Sequence, residues 1–89
     1  MSNYIWDAEK NTLLQEARGF GFADIVTAID EGGLLDDVEH TSPDRPNQRI
    51  MYVLLEGYVV AVPYVPNEDS IFLKTAFQDR KANKKYLNR

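Results

Sequence analysis

The sequence predicts an α+β domain with two N-terminal helices, an antiparallel sheet of three to four strands, and a C-terminal helix. Three observations carry this. Phe22, Ile25, Val26 and Ile29 fall at i, i+3, i+4 and i+7, the single apolar stripe of an amphipathic helix. The apolar runs "RIMYVLLE" and "YVVAVPYV" flank Glu56-Gly57, a spacing that suits a tight hairpin of antiparallel strands. Good helix formers then gather after Asp79. At 89 residues the chain is expected to be one domain, 1–89, and a chain of this size buries about 60–65% of its unfolded surface, so its core is small.

Taken in order, Tyr4, Ile5 and Trp6 form a short apolar run, either a first strand or a strap over the core. Asp7 can cap a helix over about Ala8 to Arg18, whose apolar positions are sparse, and Gly19 is a stop signal. "GFGF" makes a hinge into the second helix, which Gly32-Gly33 end. "LLDDVEH" reads as a short strand leading into the turn-rich loop "TSPDRPNQ". In the hairpin Pro63 cannot donate a ladder hydrogen bond, which demotes its strand to an edge or marks a bulge. "VPNEDS" turns the chain and "IFLKTAF" is expected as one last strand, with Lys74 keeping one of its faces partly wet. In the terminal helix Ala82 and Tyr86 share a face, and Tyr86 and Leu87 anchor it.

Composition excludes several chemistries. With no cysteine there is no disulfide, no thiolate metal site and no cysteine nucleophile. One histidine cannot build a multi-histidine metal centre, so no metal and no cofactor is expected. No apolar run approaches the length of a membrane span, and "MSNYIWDAEK" does not read as a secretory signal, so a cytoplasmic location is expected.

Charge is distributed unevenly. The formal net charge is −4, yet residues 80–89 hold Arg80, Lys81, Lys84, Lys85 and Arg89 with no acid. Residues 1–79 hold all 14 acids and five bases, and between Asp30 and Asp44 lie six acids with no Lys or Arg. The molecule is therefore expected to be bipolar. Such a protein can still bind a polyanion locally, because charges beyond about 8–10 Å are largely screened at cell salt.

Three stretches, in order, resemble the BrnT family of toxins from bacterial type II toxin–antitoxin systems. "YIWDAEKN" is similar to that family's aromatic-x-Trp-Asp-x-x-Lys-Asn opening, "RGFGFADI" to its basic-Gly hinge and Phe-led helix, and "FLKTAFQDRKANKKYL" to its final strand and Arg-Lys-Ala segment followed by Tyr. Ala17-Arg18-Gly19 stands where many members have Lys-His-Gly. The resemblance implies a RelE-like ribonuclease fold, an RNA substrate, and a cognate antitoxin, a small ribbon-helix-helix DNA-binding protein. The expected activity is metal-independent RNA cleavage by attack of the 2′-OH on the adjacent phosphate. The alternative is a non-catalytic interaction module of the same fold that binds a partner protein or RNA.

Such cleavage asks a protein to take the 2′ proton, to protonate the leaving oxygen and to stabilise charge on the phosphoryl oxygens. For the last task Arg80 is the first choice, since its planar fork can engage two oxygens and the start of a helix can add backbone N–H groups. Lys81 assists. Arg18 stays protonated and can bind phosphate but not act as a base. Tyr86 is the candidate acid, or a base if neighbouring cations lower its pKa. Lys10, Lys74, Lys84 and Lys85 are candidates for substrate binding along the RNA backbone. The bland readings are solvated surface cations for Arg80, Lys84 and Lys85, a helix-end arginine for Arg18, a salt bridge to Asp7 or Glu9 for Lys10, and a core anchor for Tyr86. His40, in its acidic stretch, reads as a surface histidine, and Glu16 as a solvated helix acid. Trp6, Tyr52, Tyr58 and Tyr64 are aromatic enough to stack on bases, though strand tyrosines are more often core or rim.

Overall fold

In the computed structural model, described over residues 3–87, the elements are β1 (Tyr4–Trp6), α1 (Ala8–Arg18), α2 (Phe22–Asp30), β2 (Leu34–Glu39), β3 (Arg49–Leu55), β4 (Tyr58–Pro66), β5 (Ile71–Leu73), β6 (Phe77–Gln78) and α3 (Arg80–Leu87). Arg89, part of the basic terminal patch, lies outside the described residues. The class is α+β. The sheet, however, is mixed and six-stranded, in the order β1-β5-β4-β3-β2 with β6 also on β4, rather than antiparallel with three or four strands. A strand also precedes the two N-terminal helices, because Tyr4–Trp6 pairs parallel with Ile71–Leu73 at the sheet edge.

Local chemistry starts and stops the helices. The Asp7 carboxylate accepts the Glu9 N–H at 3.0 Å and caps α1, and Gly19 closes it with its N–H on the Gln15 carbonyl. At the hinge the Asn11 side-chain oxygen accepts the Phe22 N–H at 2.8 Å, and Asp24 accepts the Gly21 N–H at 2.9 Å. Both bonds satisfy donors that the first turn of α2 would otherwise leave orphaned. The β3–β4 turn is built from Glu56 (φ 51°) and Gly57 (φ 84°), two consecutive left-handed residues. That is the twist a two-residue hairpin turn needs.

Side chains alternate across the sheet, so each strand feeds two layers. On one face Met51, Val53, Val60, Val62, Tyr64 and Leu73 pack with Leu14, Phe20, Phe22, Ile25 and Ala28 of the α1–α2 pair. Phe22 is fully buried and stacks on Trp6 with ring centroids 5.7 Å apart. Burial of a side chain of that size contributes about 1.5–3 kcal/mol. The opposite face receives α3 through Ala82 and through Tyr86, whose ring lies 5.3 Å from that of Tyr52.

Two strand expectations change. "IFLKTAF" is two short strands, not one, because the chain breaks at Lys74–Ala76, where Ala76 turns into the core. Pro63 sits in β4, a central strand between β3 and the β5–β6 pair, rather than on an edge. Its carbonyl accepts the Lys74 N–H at 2.9 Å, so Pro63 faces the break between β5 and β6. A missing N–H costs little on that side, since no continuous ladder runs there.

Candidate functional site

The terminal basic segment is positioned by the way α3 is laid on the sheet. The Asp79 N–H donates to the Val59 carbonyl at 3.0 Å, and the Asn83 side-chain oxygen accepts the Val59 N–H at 3.0 Å. Two consecutive turns of chain are thereby laced to one residue of β4. Asp79 also caps α3, with its carboxylate accepting the Ala82 N–H at 3.0 Å. Of the backbone N–H groups expected to face a phosphate at the start of this helix, that of Ala82 is thus already taken by a carboxylate of the chain.

Beside this helix lies a surface hollow of about 260 Å³ lined by Val38, Tyr52, Asp79, Lys81, Ala82, Lys85 and Tyr86. Lys81 and Lys85 are one helical turn apart and share a face. Lys85 holds its ammonium 5.2 Å from the centre of the Tyr86 ring, a cation–π distance. Tyr52 and Tyr86 line it as a tilted ring pair, at an interplanar angle of 37°. The hollow thus combines two cations with two aromatic faces.

Tyr86 is held by a residue fifty positions away. Its hydroxyl donates to the Asp36 carboxylate at 2.6 Å. That bond, with burial and the nearby negative charge of Asp36 behind it, pushes the phenol up to about 12. The expected lowering by neighbouring cations is corrected, because the carboxylate that holds the proton outweighs them. Asp36 moves the other way, below the usual carboxylate range, chiefly through the Tyr86 hydroxyl and then through the Asp37 N–H at 2.8 Å. At neutral pH the pair is a neutral phenol on an ionised carboxylate. Tyr86 is then a hydrogen-bonded anchor with its proton committed, not a base. Burial also raises Tyr52, ahead of the charges of Asp79 and Asp36.

The next residue repeats the pattern on the other face of the sheet. Tyr64 donates to both oxygens of Asp37, at 2.6 and 2.7 Å, and Arg49 reaches Asp37 at 3.1 Å and the Tyr64 hydroxyl at 3.2 Å. Burial first, then Asp37, pushes Tyr64 up to about 12, and the same contacts, Tyr64 before Asp37, raise Arg49. Asp36, Asp37 and Arg49 were not singled out from the sequence. The available signal was the pair of adjacent acids set between the apolar residues Leu35 and Val38 of one strand.

The remaining candidates divide between places. Lys10 and Arg18 line a second hollow of about 260 Å³, formed by α1 against Thr75, Ala76 and Phe77. Arg80 is exposed at the first turn of α3 and lines neither hollow; Lys74 and Lys84 are exposed as well. The structure therefore gathers Lys81, Lys85 and Tyr86 in one hollow and Lys10 with Arg18 in another. Among the described residues the ion pair formed is Arg49–Asp37, so Lys10 is not bridged to Asp7 or Glu9. His40 accepts the Ser42 N–H on Nδ1 at 3.1 Å, and Glu16 is exposed on α1. Trp6 packs against the core, Tyr64 is buried and Tyr58 lines neither hollow, which leaves Tyr52 as the aromatic of those four that reaches a hollow with cations. Among the described residues no group of three or more His, Cys, Asp or Glu is placed to hold a metal, and no helix is long and apolar enough to cross a membrane.

No family model, curated protein or solved structure matches this chain.

Proposed function

We propose that the chain is a BrnT-like, RelE-like ribonuclease toxin of a type II toxin–antitoxin system, acting in the cytoplasm and neutralised by a small ribbon-helix-helix antitoxin. The observation that carries this reading is the hollow lined by Lys81, Lys85 and the Tyr52–Tyr86 ring pair, with the Lys85 ammonium over the Tyr86 ring. Cations spaced along a helix neutralise successive phosphates, and aromatic faces accept unstacked bases, which together suit single-stranded RNA. In the cleavage step the ribose 2′-hydroxyl gives its proton to water as its oxygen bonds to the adjacent phosphorus, and the 5′-oxygen leaves and takes a proton from water, giving a cyclic phosphate and a 5′-hydroxyl. Charge grows on the phosphoryl oxygens, and Arg80 and Lys81, at the start of α3, stabilise it. Tyr86 orients the hollow through Asp36.

A second reading is a non-catalytic module of the same fold that binds RNA or a partner protein. The observation that favours it is the Tyr86 proton, which is held by Asp36, so that this tyrosine is not free to serve as a base at neutral pH.

Expression of the chain with and without the product of its neighbouring reading frame separates the two. Growth arrest with transcripts cut to cyclic-phosphate ends, abolished by Arg80→Ala with Lys81→Ala in a chain that still folds, supports the nuclease. Intact transcripts under the wild-type protein support the binding module.

A further inference from the structure

The second hollow has a composition unlike the rest of the molecule. The chain carries 14 acids, yet no carboxylate lines the space between α1 and the 75–77 segment, where Lys10 and Arg18 are the charged groups. The same space is also lined by two large apolar side chains left in water, Leu13 at 56% and Phe77 at 37% exposure. Lys10 and Arg18 are eight residues apart on one helix, a rise of about 12 Å. Neither is in an ion pair among the described residues.

We infer that this groove docks an acidic amphipathic helical segment of a partner protein. The segment's apolar side chains cover Leu13 and Phe77, and carboxylates two turns apart meet Lys10 and Arg18. Two features favour a protein segment over a nucleic acid. A phosphate backbone gains nothing from an aliphatic side chain such as Leu13, whereas an apolar stripe gains from burying it. The spacing of the two cations also matches two turns of a helix laid along α1, so both ends of one segment are engaged together. The inference stands apart from the ribonuclease reading, since it needs neither RNA nor the α3 hollow.

The test titrates the full chain into a fluorescein-labelled helical peptide of about four turns, bearing a Leu stripe flanked by Glu, and reads anisotropy. Comparison probes are the same peptide with Glu→Gln and a labelled single-stranded RNA of equal charge. Saturable binding is expected that weakens with added salt, fails for the Glu→Gln peptide, and drops about fivefold for Lys10→Ala, for Arg18→Ala and for Leu13→Ser. These side chains are exposed, so an unchanged thermal midpoint shows that each variant folds. Absence of saturable peptide binding overturns the inference. So does equal binding of the Glu→Gln peptide, or loss of RNA binding rather than peptide binding in the same variants. Self-association of the chain that Leu13→Ser abolishes in sedimentation assigns the groove to a second copy and overturns it too.

Discussion

The Tyr86 hydroxyl sits 2.6 Å from the Asp36 carboxylate, joining the last turn of α3 to β2 on the far side of the hairpin. The bond fixes the ring over Tyr52 and with it one wall of the hollow that holds Lys81 and Lys85. Its energetic signature is a pH dependence at both ends of the scale.

Tyr86 titrates above its ordinary value of 10.0 in the folded chain. Its contribution to stability is therefore complete below that pH and is lost as pH climbs toward about 12. Asp36 titrates below its ordinary 3.8, so its contribution is complete above that value and is lost as pH falls through the lower folded one. The thermal midpoint of wild type minus Tyr86→Phe should shrink at both extremes. The tyrosinate difference absorbance between the two proteins should show a transition near pH 12, which Asp36→Asn moves back toward 10.

The core prediction concerns Phe22, fully buried and stacked on Trp6. Phe22→Ala leaves a cavity that the sheet face cannot collapse into, and it should cost about 3–5 kcal/mol in denaturant unfolding. Against the total of about 5–15 kcal/mol usual for a domain, that is a large fraction of the stability.

Gly33 lies where a Cβ would meet backbone atoms on both sides, 2.8 Å from the Ala28 carbonyl oxygen and 2.9 Å from that of Leu54. Neither neighbour is a flexible side chain. Gly33→Ala should therefore lower stability by about 1–3 kcal/mol, the usual cost of overpacking, and weaken the α2–β3 junction as seen in amide exchange near Leu54.

For the RNA reading, Lys81→Ala and Lys85→Ala should each weaken single-strand RNA binding and lower the slope of log affinity against log salt by about 0.7. Lys10→Ala should leave that slope unchanged, because its hollow is a separate one.

Much of the fold was legible in the sequence where the signal is local. The Phe22–Ile29 stripe became α2, Asp7 and Gly19 bound α1, and Glu56-Gly57 turned the hairpin. What the sequence could not show depends on distant pairing. Nothing near Tyr4–Trp6 announces that its partner is Ile71–Leu73, so the mixed sheet was missed. Pro63 reads as an edge residue until the break at Lys74–Ala76 is seen to face it. At the site, the pattern of the basic tail showed the cations, but the pKa of Tyr86 was set by Asp36, a residue read only as part of an acidic stretch.

The most direct test is a titration of isotope-labelled chain with a short single-stranded RNA, read as amide shifts along the backbone. The account predicts that shifts concentrate on Asp79–Leu87 and Tyr52 and vanish with Lys81→Ala and Lys85→Ala together. Shifts that spare α3, or that gather instead around Lys10 and Arg18, would contradict it.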